Sequence, residues 1–230
     1  DLMNSNFFLN ILYNGIEEII PNIRFKFYLN NKNKIVIKIG FDPTTSRLHL
    51  GHFVLLKKLR DFSFVGFKII FIIGDFTASI GDPSGRLSSR IFLYEHDIIK
   101  NYFYYKKQIY RVLNPNNVIV LFNSCLISKL GDKGIIKLSS FFTISSIIKR
   151  DDFNKRFYNN VNININEFVY PILQAYDSLK LRSDIEIGGI DQKFNFFVSR
   201  NLQKKFFIKQ QVVFMLPLLL GIDGINKMSK

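Results

Sequence analysis

Residues Ile35 to Val65 read IVIKIGFDPTTSRLHLGHFVLLKKLRDFSFV, and the fold turns on this stretch. Ile35, Val36, Ile37 and Ile39 make a β-branched run that reads as a buried strand. Gly40 is expected to end it, and Asp42-Pro43-Thr44-Thr45 supplies turn chemistry. A helix is predicted from about His49, with Val54, Leu55, Leu59 and Phe62 recurring on one side. His49 and His52 share its first turn. A helix start offers unpaired backbone N–H groups and the positive end of the helix dipole, so it can hold an anion. Gly51 is expected to let a ligand approach the backbone there. Taken alone, two polar residues at a helix start are an equally good account of the histidine pair.

Outward from this stretch, Phe67 to Ile73 is a continuous apolar run, as in a parallel strand buried on both faces. Strand, helix and strand make a βαβ unit, for which a right-handed crossover is expected. Gly74-Asp75-Phe76-Thr77 then leads into Ile80-Gly81-Asp82-Pro83-Ser84-Gly85-Arg86, a second turn-rich loop at the carboxyl end of a strand. Ligands of open α/β sheets bind at such ends. Further strands are predicted at Val118–Phe122, Ile185–Ile187 and Val212–Leu218. Gly188-Gly189 closes the middle one, with Asp191 and Gln192 in the turn that follows. Helical spacing marks Asn6–Ile20, Ser88–Tyr110, Ile127–Asp152 (with a turn at Gly131–Gly134), Glu167–Leu181 and Lys193–Gln203. On Glu167–Leu181, Tyr170, Gln174 and Asp177 fall at i, i+4 and i+7 and share a face, turned to solvent or to a ligand.

Composition narrows the class without naming a function. The chain has 230 residues, 47% of them apolar, enough for a sizeable core. Its net charge of +14 suits a polyanionic partner such as nucleic acid. The charge is spread through a chain crowded with Lys, Asn, Ile and Phe, so compositional drift explains it as well. One cysteine, Cys125, excludes an intrachain disulfide and points to a reduced, cytoplasmic setting. The apolar run Val212–Leu220 is broken by Pro217 and too short to span a bilayer, so no membrane association is expected. No metal-ligand spacing stands out.

HLGH at 49–52 resembles the HIGH motif of class I aminoacyl-tRNA synthetases, and KMSK at 227–230 resembles their KMSKS motif without its last residue. Between them GFDPT at 40–44, IGDPSG at 80–85, YPILQAYD at 170–177 and GGIDQ at 188–192 look like the tyrosyl branch of that family. The tryptophanyl branch shares the end motifs, and a non-catalytic RNA-binding paralogue would keep the fold. The joint presence of Thr44, His49, His52, Lys227 and Lys230 speaks against the latter. The resemblance implies an α/β fold: a Rossmann-like parallel sheet with helices on both faces and a mainly helical insertion. It divides the chain into an N-terminal helical arm (1–33), two nucleotide-binding halves (34–103 and 167–230) and a connective insertion (104–166). In the family such an insertion supplies a homodimer interface, and a C-terminal tRNA-binding domain follows the KMSK loop. The latter is expected to be absent from this chain, which begins at Asp1 and not at a methionine.

The implied reaction is activation of L-tyrosine by ATP, with Mg²⁺ carried by the nucleotide, and transfer of tyrosine to tRNA(Tyr). By resemblance, Thr44 and His49 bind the outgoing phosphate, His52 helps hold the ribose, and Lys227 and Lys230 close over the pyrophosphate. Asp191 takes the ribose hydroxyls, and the backbone at Asp42, Gly51 and Gly189 lines the nucleotide. Gly40 borders the tyrosine. Asp82, Tyr170 and Gln174 hold its ammonium, Gln192 its carboxyl end, and Asp177 accepts from its phenol. Lys38 departs from a common form of the family, which has tyrosine there. It is expected either outside on an edge or inside the pocket beside Asp177, donating to the phenolic oxygen and keeping Asp177 ionised.

Overall fold

The computed structural model describes residues 2–21, 30, 34–84, 93–224 and 227–228. Expectations for Gly85, Arg86 and Lys230 lie outside these residues. A six-stranded sheet organises the chain, in the order β1-β6-β5-β2-β3-β4. Its strands are β1 (Glu18–Ile20), β2 (Val36–Phe41), β3 (Lys68–Ile73), β4 (Val118–Phe122), β5 (Ile185–Gly189) and β6 (Val212–Leu216). All neighbours are parallel except β1, which runs antiparallel to β6 at the edge. The helices are α1 (Leu2–Tyr13), α2 (Leu50–Val65), α3 (Asp75–Ile80), α4 (Glu95–Ile109), α5 (Ser124–Ile127), α6 (Gly131–Ser139), α7 (Ile144–Ile148), α8 (Asp151–Tyr158), α9 (Ile165–Leu181) and α10 (Lys193–Lys205).

Strand alternation sorts the side chains to two faces. Ile37, Ile39 and Phe41 of β2 and Ile69, Phe71 and Ile73 of β3 pack with Leu12 of α1, Leu59 and Phe62 of α2 and Tyr105 of α4. The even positions Lys38, Glu186 and Gly188 turn the other way, toward α9 and α10. The predicted parallel sheet with helices on both faces is therefore present. From β2 the chain steps outward to β3 and β4, then returns to the opposite side of β2 as β5. That reversal opens a crevice at the carboxyl ends of β2 and β5, where open α/β sheets bind their ligands.

Several expected boundaries move. β2 continues through Gly40 to Phe41, because both keep their register with Ile72 and Ile73 of β3. Glu18–Ile20 is a strand instead of the end of a helix: it covers the otherwise open edge of β6, pairing Ile19 with Phe214. Gly131–Gly134, expected as a turn, opens α6, and Ile127–Asp152 breaks into short helices. β4 lies within 104–166 and belongs to the sheet, whereas the chain from β4 to α9 is helical apart from short connections. Helix α2 ends where Gly66 takes a left-handed φ of 102° and its N–H reaches Phe62 O and Ser63 O.

Candidate functional site

A cavity of about 660 Å³ occupies the crevice at the sheet's switch point. Every candidate residue among those described contributes to its wall: Lys38, Gly40, Asp42 and Thr44 from β2 and its loop, His49, Gly51 and His52 from the start of α2, Asp82 after α3. Tyr170, Gln174 and Asp177 come from α9, Gly189, Asp191 and Gln192 from the end of β5, and Lys227 from the loop after β6. The polar stripe on α9 therefore faces the cavity and not solvent.

The two histidines cap their own helix. His49 Nδ1 accepts from the Gly51 N–H at 3.1 Å, and His52 Nδ1 accepts from the His49 N–H at 3.3 Å. These donors are thus occupied, contrary to the expectation of unpaired N–H groups. Neutral imidazoles that accept at Nδ1 carry their proton on Nε2. Gly51 also differs from expectation. A Cβ there would sit 2.9 Å from His49 Cε1, so the glycine makes room for the capping ring and not only for a ligand. Across the cavity, Lys227 pairs with Asp191, drawing the loop after β6 against the turn after β5. Burial pushes the Asp191 carboxyl above its ordinary value, and Lys227 offsets only part of that. Among the described residues no group of three or more His, Cys, Asp or Glu side chains is placed to hold a metal ion.

The deeper end is built from paired polar groups. Asp42, expected to contribute backbone, contributes its carboxylate: it accepts from Tyr170 Oη at 2.8 Å and Thr77 Oγ1 at 2.9 Å. Asp82 accepts from the Ser84 N–H at 3.0 Å and from Gln192 Nε2. Burial pushes Asp82 upward, but the bonds from Ser84, the Arg150 charge and Gln192 outweigh it and hold this carboxyl below its ordinary value. Asp177 is the opposite case. Its Oδ2 accepts a long bond, 3.4 Å, from Asn123, and its Oδ1 is buried with no hydrogen-bond partner among the described residues. Burial pushes its pKa up to about 7 against the pull of Lys38 and Asn123, with Glu186 and Asp42 adding to the rise. Lys38 therefore does not keep Asp177 fully ionised, as had been expected.

Lys38 is 1% exposed, which excludes the outward-facing reading. Its ammonium donates to Ser178 Oγ at 2.7 Å, Glu186 Oε1 at 2.9 Å and the Gln174 carbonyl at 3.2 Å. An ammonium has three hydrogens, so donation to a phenol would displace one of these acceptors. Glu186 is the partner that sequence reasoning missed. It sits between Ile185 and Ile187 as Lys38 sits between Ile37 and Ile39, and the two are register partners on adjacent strands. The matching IKI and IEI triplets were the available signal. Asn123 was also missed. It follows β4, and a polar residue just past a parallel strand is a site candidate for the same reason as Asp42.

Two histidines head α2 and a lysine lies across the cavity on the loop after β6, an arrangement of the class I synthetase type. The family described as tRNA synthetases class I (W and Y) matches residues 30–230, and the chain belongs to it. Among curated relatives, the tyrosine–tRNA ligase of Haemophilus influenzae is 48% identical over 219 residues, covering 95% of this chain and 55% of that protein. That of Aquifex aeolicus is 46% identical over 222 residues, 96% of this chain and 57% of the relative. The chain thus spans a little over half the length of these relatives. A tyrosyl-tRNA synthetase from Archaeoglobus fulgidus, solved in complex with L-tyrosine, shares the fold with a TM-score of 0.79 at 23% identity, over 97% of this chain and 67% of that one.

Proposed function

We propose that the chain activates L-tyrosine with ATP to tyrosyl-adenylate and, in its whole protein, transfers it to tRNA(Tyr). One observation carries the choice of tyrosine over phenylalanine: the buried Oδ1 of Asp177, unpartnered among the described residues, in the wall of the cavity. An orphaned buried acceptor costs stability, and a ligand hydroxyl would satisfy it. A phenol does so; a phenylalanine ring would leave it orphaned. Sites built this way reject the analogue that lacks the hydroxyl strongly, and the handful of cases that define the rule include this enzyme family.

The chemistry asks for positioning and charge stabilisation. The tyrosine carboxylate attacks the α-phosphate of ATP, a C–O–P linkage forms, and the bond to the β-phosphate breaks to release pyrophosphate. The attacking group is already ionised, so the step needs no general base. His49, Thr44 and the ammonium of Lys227 suit the phosphates, with Lys230 in the same role, and His52 suits the ribose. Mg²⁺ would travel with the nucleotide, screening its phosphate charge, while the half-buried carboxylates Asp82 and Asp191 serve the ammonium and the ribose. Tyr170 and Gln174 would join Asp82 at the ammonium, Gln192 would meet the carboxyl end, and the backbone of Gly40, Gly51 and Gly189 would let substrate come close.

The domain division belongs to the same proposal, with 34–103 and 167–230 as the nucleotide-binding halves. A homodimer would form through 104–166, where Ile144, Phe157 and Tyr158 leave apolar surface exposed. The setting would be the cytoplasm; no helix among the described residues is long and apolar enough to cross a membrane. The test is ATP–pyrophosphate exchange with tyrosine, tryptophan and phenylalanine in turn. Exchange driven by tyrosine alone is expected. Exchange driven by tryptophan, or none with any of the three, overturns the reading.

A further inference from the structure

Asn195 is fully buried on the first turn of α10. Its Oδ1 accepts from Arg150 Nη1 at 3.1 Å. A guanidinium has only donors, so the oxygen of Asn195 must be the atom that faces it. The amide nitrogen then faces the cavity wall, donating to Gln192 Oε1 at 2.9 Å and Gln174 Oε1 at 3.0 Å. Those glutamines are oriented in turn: Gln174 Nε2 donates to Glu186 Oε1 at 3.3 Å and Gln192 Nε2 to Asp82. Donor meets acceptor at each link. Turning any one amide around would set like against like at both of its ends.

The anchor is itself rigid. Arg150 forms an ion pair with Asp152 at 2.5 Å and lies over the rings of Phe153 and Phe194, at 5.0 and 5.5 Å. It caps α8, in the helical stretch between β4 and α9, and is 8% exposed. One cation outside the cavity wall thus sets the direction of three amides that end at two cavity carboxylates.

We propose that Asn195, anchored by Arg150, is a positioning residue that fixes the polarity of the Gln174 and Gln192 amides and so makes the cavity fit an α-amino acid zwitterion. A carbonyl oxygen has two lone pairs and an amide nitrogen two hydrogens. Held this way, Gln174 has a second lone pair for an ammonium and Gln192 a second N–H for a carboxylate. Reversed, Gln174 would present N–H to the ammonium and repel it. The inference deepens the tyrosine-activation reading and takes only the identity of the amino acid from it.

The experiment is equilibrium dialysis of the full chain with labelled L-tyrosine and, separately, with ATP, alongside thermal melting. Wild type must bind tyrosine; if it does not, the functional reading fails before the relay is tested. Asn195→Asp keeps the shape and removes the donor. It is expected to weaken tyrosine binding about tenfold or more while changing ATP binding less than about twofold. Arg150→Gln, which can face Asn195 with either end of its amide, is expected to weaken tyrosine binding about threefold or more and serves if the first variant does not fold. In an Asn195→Ala background the same Arg150→Gln change is expected to alter tyrosine binding less than it does in the wild type, keeping only the part that the Arg150 charge exerts directly on Asp82. Unchanged tyrosine affinity in either single variant overturns the proposal. So does equal loss of tyrosine and ATP binding with a lowered melting temperature, or a full Arg150→Gln effect persisting without Asn195.

Discussion

Replacing Asp177 with asparagine should stabilise the protein, and more so at high pH. The carboxyl is 3% exposed, with an ordinary pKa of 3.8 that burial, chiefly, raises to about 7 in the fold. A group whose folded pKa is raised in this way holds its proton in the native state after the unfolded chain has lost it. Its contribution is therefore most favourable at low pH and is lost as pH rises from about 4 to about 7. With one pKa unit equal to about 1.4 kcal/mol, the wild type should lose about 2–3 kcal/mol from this group between pH 5 and pH 8. Asparagine has the same shape and no titration, so Asp177→Asn should lack that part of the loss. Urea unfolding of both proteins at pH 5 and pH 8, at one ionic strength, measures the difference. Equal pH dependence in the two would refute the account of Asp177 as a destabilising buried acid. The same variant keeps an acceptor oxygen, so it should bind tyrosine while discriminating less against phenylalanine. Asp177→Leu should remove about 1–3 kcal/mol of that discrimination. The site thus holds an acid that costs the empty protein stability because a ligand hydroxyl is there to meet it.

Three further outcomes are expected. Lys38→Met should destabilise the fold by about 3–5 kcal/mol, because Glu186 is left charged and buried, and adding Glu186→Leu should restore most of it; a double variant no more stable than the single, in urea unfolding, would contradict this. His52→Ala should lower kcat for tyrosine activation far more than it raises the tyrosine KM, and should cost about 0.5–2 kcal/mol through the lost helix cap; steady-state exchange kinetics showing an unchanged kcat and a raised tyrosine KM would remove His52 from the nucleotide side. Lys227→Ala should slow exchange about tenfold or more while leaving tyrosine binding by dialysis unaltered, since the lysine lies at the Asp191 end of the cavity; a fall in tyrosine affinity alone would place it wrongly.

The sequence by itself determined the sheet and most of the wall of its cavity. The β-branched runs around Lys38 and Glu186, the turns at Asp42 and Gly189, and the i, i+4, i+7 stripe on α9 are local periodicities. Local chain geometry forces them to one face or one end wherever the element sits. Chemistry at strand ends was legible for the same reason, because a parallel sheet gathers its carboxyl ends in one place. What the sequence left undecided was which polar group meets which. The strand pattern left Lys38 facing either solvent or the pocket beside Asp177; its partner proved to be Glu186, 148 residues away, through a strand pairing that no local pattern encodes. Arg150 and Asn195 read as an ordinary charge and an ordinary polar residue, 45 positions apart, until the fold brings the residue before α8 against the first turn of α10. The edge strand Glu18–Ile20 looked helical because its pairing with β6 is also distant. Burial raises the Asp177 pKa, and burial exists only once α9 lies against the sheet. Periodicity reports a residue's face, a short-range property; pairing and desolvation depend on what the folded chain brings to that face.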